Sequence, residues 1–116
     1  MEYLMLIRYG DQYRERVERA SEAELKSVVD EYMAIMQTDG VRGGAQVQPP
    51  ETARTVRVDG RGEALAAEGP SATAEETLGG YYVLEADGLE TAQEIAARVP
   101  AARMGGLVEV RPLVER

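Results

Sequence analysis

The sequence predicts an α+β domain: a ferredoxin-like βαββαβ core with an inserted β-hairpin, and both helices on one face of an antiparallel sheet. Two observations predict the core. Apolar runs of strand length and two helical periodicities follow one another as strand, helix, strand, strand, helix, strand. A hairpin signal, Asp59-Gly60, falls between the two middle strands. The length of 116 residues suits one domain, so residues 1–116 are read as a single unit.

The first run, Glu2 to Tyr9, is almost continuously apolar and stops at Gly10, as expected of a strand buried on both faces. Residues 11 to 20 are polar, and Glu15 with Arg19 has the spacing of a helical ion pair, so a short surface helix fits there. The clearest helix starts at Ser21, where Ser21-Glu22-Ala23-Glu24 matches a capping box. Leu25, Val28, Val29, Tyr32, Met33 and Met36 recur at three- and four-residue steps and predict its apolar face. Glu22 and Lys26 form a surface pair, and Gly40 ends the helix just past Asp39.

Val41 to Gln48 predicts a strand, with Gly43-Gly44 marking a bulge or a close approach by another group and Pro49-Pro50 closing it. Thr52 to Val58 and Glu63 to Ala67 are the hairpin strands, and 68–78 is a loop. Gly79-Gly80 opens the next strand, Tyr81 to Ala86. Asp87 is the expected N-cap of a second helix, with Leu89, Ala92, Ile95, Ala96 and Val99 as its apolar face and Pro100 at its end. Leu107 to Leu113 is the last strand.

Composition removes whole classes of function. The chain has no histidine and no cysteine. That excludes a Ser-His-Asp triad, a Cys-His pair, a disulfide and an ordinary structural zinc site. The net charge of -8 repels phosphate backbones and argues against nucleic-acid binding. No apolar stretch approaches the ~20 residues of a membrane span. The expectation is a soluble cytoplasmic protein with no cofactor and no metal.

The first strand also predicts a partner. Tyr3, Met5 and Ile7 point one way and Leu4 and Leu6 the other, and Tyr81 to Leu84 repeats the pattern. Two helices cover one face only. A second sheet is the simplest cover for the other, so a homodimer packed sheet against sheet is expected. The competing reading folds the inserted hairpin over the open face of a monomer.

Glu68-Gly69-Pro70-Ser71 followed by Glu76-Thr77-Leu78-Gly79-Gly80-Tyr81-Tyr82 resembles the signature stretch of the YCII-related, or DGPF-domain, proteins. Tyr3 to Ile7 is similar to that family's first strand, and Ala96 to Arg103 with Val108 to Leu113 to its last helix and strand. The resemblance spans nearly the whole chain. It implies a dimeric α+β barrel of ferredoxin-like subunits. It also implies a His and an Asp in a pocket in the suspected enzymes of the family, and a neighbourhood of extracytoplasmic-function sigma factors. The sequence departs from the pattern where chemistry would lie. The motif Asp is Glu68, the motif Phe is Ser71, Thr73 and Glu75 replace the acidic residue and the lysine that often follow, and there is no histidine.

Six residues are candidate ligand contacts: Arg8, Tyr9, Gln46, Glu68, Tyr82 and Arg111. Glu68 is the candidate acid or base, if burial raises its pKa, against a plain turn carboxylate. Arg8 and Arg111 can anchor an anion, or pair across strands with Glu85 and Glu109. Tyr9, Tyr32, Tyr81 and Tyr82 can orient a ligand through their hydroxyls or fill core and interface. Gln46, beside Gly43-Gly44, offers an amide where a ligand can approach the backbone. Glu75-Glu76 can attract a hard cation or simply be solvated. Three functions follow in order: a small-ligand-binding homodimer, an isomerase- or lyase-type enzyme using Glu68, and an interaction protein tied to a sigma factor.

Overall fold

A computed structural model describes residues 1–70 and 77–116. The strands are β1 (Glu2–Tyr9), β2 (Val41–Gln46), β3 (Arg54–Val58), β4 (Ala64–Glu68), β5 (Thr77–Glu85) and β6 (Leu107–Pro112). The helices are α1 (Asp11–Arg19), α2 (Glu22–Met36), α3 (Leu89–Ala97) and α4 (Pro100–Arg103). Four strands make one open antiparallel sheet in the order β2-β5-β1-β6, and β3 and β4 make a separate two-stranded sheet. The first strand lies between the third core strand and the last, as a ferredoxin-like order requires.

Register divides the sheet into two chemistries. Directly opposed residues share a face. Met5 lies opposite Tyr82 and Val110, and Tyr3 opposite Leu84. This face meets Ile35, Ala92, Ile95, Ala96, Val99 and Ala101 from the helices in one core, where Met5 and Leu84 are wholly buried. The other face carries Leu4 opposite Val83 and Arg111, and Leu6 opposite Tyr81 and Glu109. No described helix lies against this second face.

The capping box at Ser21 forms: the Glu24 amide donates to Ser21 Oγ at 3.1 Å, and the Ser21 amide donates back to Glu24 Oε1 at 3.4 Å. Gly40 adopts φ +92°, the left-handed turn after α2. Arg19 pairs with Glu15 on α1 at 3.4 Å.

Other expectations are corrected. Lys26 pairs with Asp30 at 3.2 Å rather than with Glu22. The expected apolar face of α2 is only in part its inward face: Leu25, Val28 and Tyr32 are half-buried and Tyr32 packs against the core. Ile35 is buried, whereas Val29, Met33 and Met36 are exposed, because the helix is rotated to send Tyr32 and Ile35 towards the sheet. The second long helix is capped at Gly88, not Asp87, without a side-chain bond. Pro100 opens α4, where its missing N–H costs no hydrogen bond.

The hairpin turn spans Asp59 to Glu63 instead of two residues. Asp59 Oδ1 accepts from the Arg61 and Glu63 amides at 2.8 and 3.0 Å, which suits a longer Asx-type loop. Glu68 ends β4 rather than opening a loop, and β5 begins four residues earlier than expected, at Thr77. Ser71, Thr73, Glu75 and Glu76 lie outside the described residues.

The hairpin does not fold over the open sheet face. All five residues of β4 and four of the five in β3 are exposed. The radius of gyration is 16.1 Å, against ~13 Å for a compact chain of this length. The hairpin projects as an arm.

Candidate functional site

Between α2 and the sheet lies a cavity of about 500 Å³. Its helix wall is the apolar stripe that the core does not use, Val28, Val29 and Met33 among it. Its sheet wall is low because glycines form it. Gly44, Gly79 and Gly80 line the space, and α1 adds Tyr13 and Val17. Tyr9, Tyr32 and Tyr82 complete it.

Each tyrosine is placed by local structure. A register shift between Ile7 and Arg8 lets Gly79 bulge from the ladder, and the Tyr9 ring occupies the room a side chain at 79 would need. Tyr9, Tyr13 and Val17 are four residues apart and share one face as β1 passes into α1. The Tyr9 and Tyr13 rings stack with centroids 4.2 Å apart and planes within 5°. Tyr13 Oη lies 3.2 Å from Tyr32 Oη, and Tyr82 Oη donates to the Tyr32 carbonyl at 3.0 Å. Tyr82 projects over Gly44, whose missing β-carbon makes room for its ring.

These phenols resist ionisation. Burial pushes the Tyr9 hydroxyl up to about 12. Burial, then the hydrogen bond to Tyr13, holds Tyr32 above its ordinary value, and burial does the same for Tyr82. At neutral pH all three are protonated and able to donate.

The six candidate contacts do not converge. Tyr9, Gln46 and Tyr82 line the cavity. Arg8 and Arg111 lie on the opposite face of the sheet, bracketing Glu109 at 3.5 and 2.8 Å. The Arg8–Glu109 pair crosses from β1 to β6 as expected, whereas Arg111 pairs with Glu109 along its own strand. Glu85 stands apart from that cluster and accepts from the amino group of Met1. Glu68 is exposed at the end of β4, opposite Arg54 and outside the cavity lining. The glycine pair at 43–44 splits: Gly44 takes the close approach, from Tyr82, while nothing lies within 4 Å of a β-carbon at Gly43.

Sequence reasoning missed Tyr13 and the cavity role of α2. The four-residue spacing of Tyr9, Tyr13 and Val17 was the available signal. It also missed a cleft of about 540 Å³ lined by Arg16, Arg19 and Arg103. There Arg16 donates to the Arg103 carbonyl at 3.0 Å, Arg19 pairs with Glu15 and Arg103 with Glu31, which accounts for the three cations structurally. No group of three acidic residues able to hold a metal is present among the described residues, and no described helix is long and apolar enough to cross a membrane.

Comparison with known proteins supports the same fold. A family model, the YCII-related domain, matches residues 1–116. Among solved structures the chain is similar to 5-chloro-2-hydroxyhydroquinone dehydrochlorinase from Burkholderia phenoliruptrix AC1100, in complex with 2,5-dihydroxybenzoquinone. The TM-score is 0.53 at 10% identity, over 100% of this chain and 96% of that one. That likeness is one of fold. No curated protein matches the sequence.

Proposed function

The chain belongs to the YCII-related domain family, and from that premise we propose that it is a homodimer binding a small, planar, hydroxylated organic molecule in the tyrosine-lined cavity of each copy. The observation that carries this reading is the cavity itself. A space of about 500 Å³, mostly apolar, with a few convergent polar groups, has the size and make-up of a small-molecule site. The stacked Tyr9–Tyr13 pair offers a flat face to a ring. Gln46 and the protonated phenols supply donors and acceptors at the ring's edge.

A dehydrochlorinase of the same fold was solved with a dihydroxybenzoquinone. That ligand has the class of shape this cavity suits. Arg8 and Arg111 face away from the cavity, which favours a ligand held by stacking and phenol hydrogen bonds over one gripped as an anion. The exposure of Glu68 favours binding over acid–base turnover by that residue. The cavity favours ligand binding over a purely protein-binding role.

Support for the dimer is the open sheet face, where Leu4, Leu6, Tyr81 and Val83 have no described element across them. Arg8, Glu109 and Arg111 on the same face would pair at the rim of a sheet-to-sheet contact.

The test is thermal shift against a panel of hydroxylated benzenes and benzoates, with light scattering on the same protein. At least one ring should stabilise the protein. Val28→Trp, which fills the cavity, should abolish the shift, and Arg111→Ala should leave it. No shift across the panel, or a shift untouched by Val28→Trp, overturns the ligand site. A mass near 12.7 kDa instead of twice that overturns the dimer.

A further inference from the structure

We propose that the cavity takes a neutral ring that carries an apolar tail. The ring sits among the tyrosines, and the tail lies along Val29, Met33 and Met36 of α2. The inference rests on the small-ligand reading above and narrows its ligand class.

The cavity is larger than a ring requires. A space of ~150 Å³ already holds one benzene ring. The space here is about 500 Å³, so a lone ring leaves most of it open. Volumes in this range suit larger organic molecules.

The hydrogen-bonding end of the cavity is at Tyr32. The Tyr13 and Tyr32 hydroxyls meet at 3.2 Å, and Tyr82 Oη donates to the Tyr32 carbonyl at 3.0 Å. A ring's oxygen finds partners there. Val29, Met33 and Met36 line the same space with side chains that hold no oxygen or nitrogen. They are 57%, 61% and 39% exposed, so the apolar wall runs on out of the cavity. Between positions 29 and 36 the helix advances ~10 Å, a length that a chain of several carbons covers.

The strip is narrow. The Lys26–Asp30 ion pair bounds it on its outer side. Stable protein contacts take ~20–30 residues a side, far more than this wall offers. A flexible alkyl chain needs no more than these three side chains, and methionines adapt to the shape laid on them.

The lining also sets the charge of the ligand. None of the described residues that line the cavity is charged, in a chain where 29% of residues are. A carboxylate or an ammonium placed there would lose its hydration and find no partner to replace it. The class is therefore phenols, aromatic alcohols and aromatic ketones with an alkyl substituent, rather than acids or amines.

The test is calorimetric titration of the full chain with para-ethylphenol, para-butylphenol and para-hexylphenol, and with para-butylbenzoate as the charged counterpart. Each added methylene should tighten binding roughly two- to fourfold. The benzoate should bind about tenfold or more weakly than para-butylphenol. Val29→Ser with Met33→Ser alters exposed positions, keeps the circular dichroism of the parent and should flatten the series. Val114→Ser, exposed and outside the cavity lining, should keep the parent's slope. Equal affinities along the series, with Val28→Trp still abolishing binding, overturn the tail and leave the ring site standing. A slope that survives Val29→Ser with Met33→Ser puts the tail elsewhere, and the proposal falls. A benzoate bound as tightly as the phenol overturns the neutral class. If light scattering shows that the serine pair turns a dimer into a monomer, the strip is a contact between copies and the proposal falls. If none of these compounds binds, the proposal falls, and the ring site is judged by the thermal-shift panel alone.

Discussion

The ring of Tyr9 lies on Gly79 so closely that a β-carbon at position 79 would sit inside it. That contact holds the stacked Tyr9–Tyr13 pair against the sheet and so shapes the cavity floor. Gly79→Ala is expected to cost about 1–3 kcal/mol, the usual penalty for overpacking a fitted site. Gly43→Ala, where a β-carbon meets nothing within 4 Å, is expected to be neutral or slightly stabilising. Urea midpoints of the two variants make the comparison, and equal values would refute the fit of Tyr9 to Gly79.

The buried phenols set an alkaline limit on stability. The folded state raises the pKa of Tyr9, Tyr32 and Tyr82, chiefly by burial. It therefore holds their protons more tightly than the unfolded chain does. Their contribution is complete below the ordinary tyrosine value of about 10 and is lost as pH rises above it. The phenolate ultraviolet band of Tyr9, Tyr32 and Tyr82 should appear only above that ordinary value, together with unfolding followed by circular dichroism. A single transition near the ordinary value would contradict the buried cluster.

Tyr82→Phe removes the donor to the Tyr32 carbonyl. The expected loss is about 0.5–1.5 kcal/mol in denaturant unfolding, the net value of one such bond. A variant as stable as the parent would mean that the Tyr82–Tyr32 bond contributes nothing.

The Ser21 capping box should be separable from everything above. Ser21→Ala is expected to cost about 1 kcal/mol, while Ser21→Asp keeps the acceptor and most of the stability. Neither change should alter a ligand's thermal shift.

Met1 and Glu85 give a two-sided pH signature. The hydrogen bond between them lowers the Glu85 carboxyl and raises the amino group. The carboxylate's contribution is lost as pH falls through its lowered pKa, and the amine's as pH rises through its raised one. The melting-temperature difference between the parent and Glu85→Gln should be present between about pH 5 and about pH 8. It should shrink on both sides. Because both groups are exposed to solvent, added salt should reduce it as well.

Much of the fold was legible locally. Alternation in β1 correctly separated Tyr3, Met5 and Ile7 from Leu4 and Leu6, because strand geometry sends neighbours to opposite faces. The Ser21 cap and the Gly40 terminator were legible for the same reason, since each satisfies bonds within a few residues. The site was half legible. Tyr9, Gln46 and Tyr82 were named, but so were Arg8 and Arg111, and only strand register assigns those to the other face. Periodicity found the stripe on α2 without saying whether it faces the core, because an apolar stripe looks the same whether sheet, ligand or partner covers it.

The sequence alone determined the order of elements, the alternating faces, the helix caps and the exclusion of histidine and cysteine chemistry. Each depends on neighbours close along the chain or on residue types simply absent. Tertiary structure decided which face each candidate occupies, how far α2 is rotated, and that the hairpin stands away from the body. Those depend on pairings between residues tens of positions apart, such as Tyr9 with Gly79 and Tyr82 with Tyr32. The register and packing that create such pairings exist only once the chain has closed on itself.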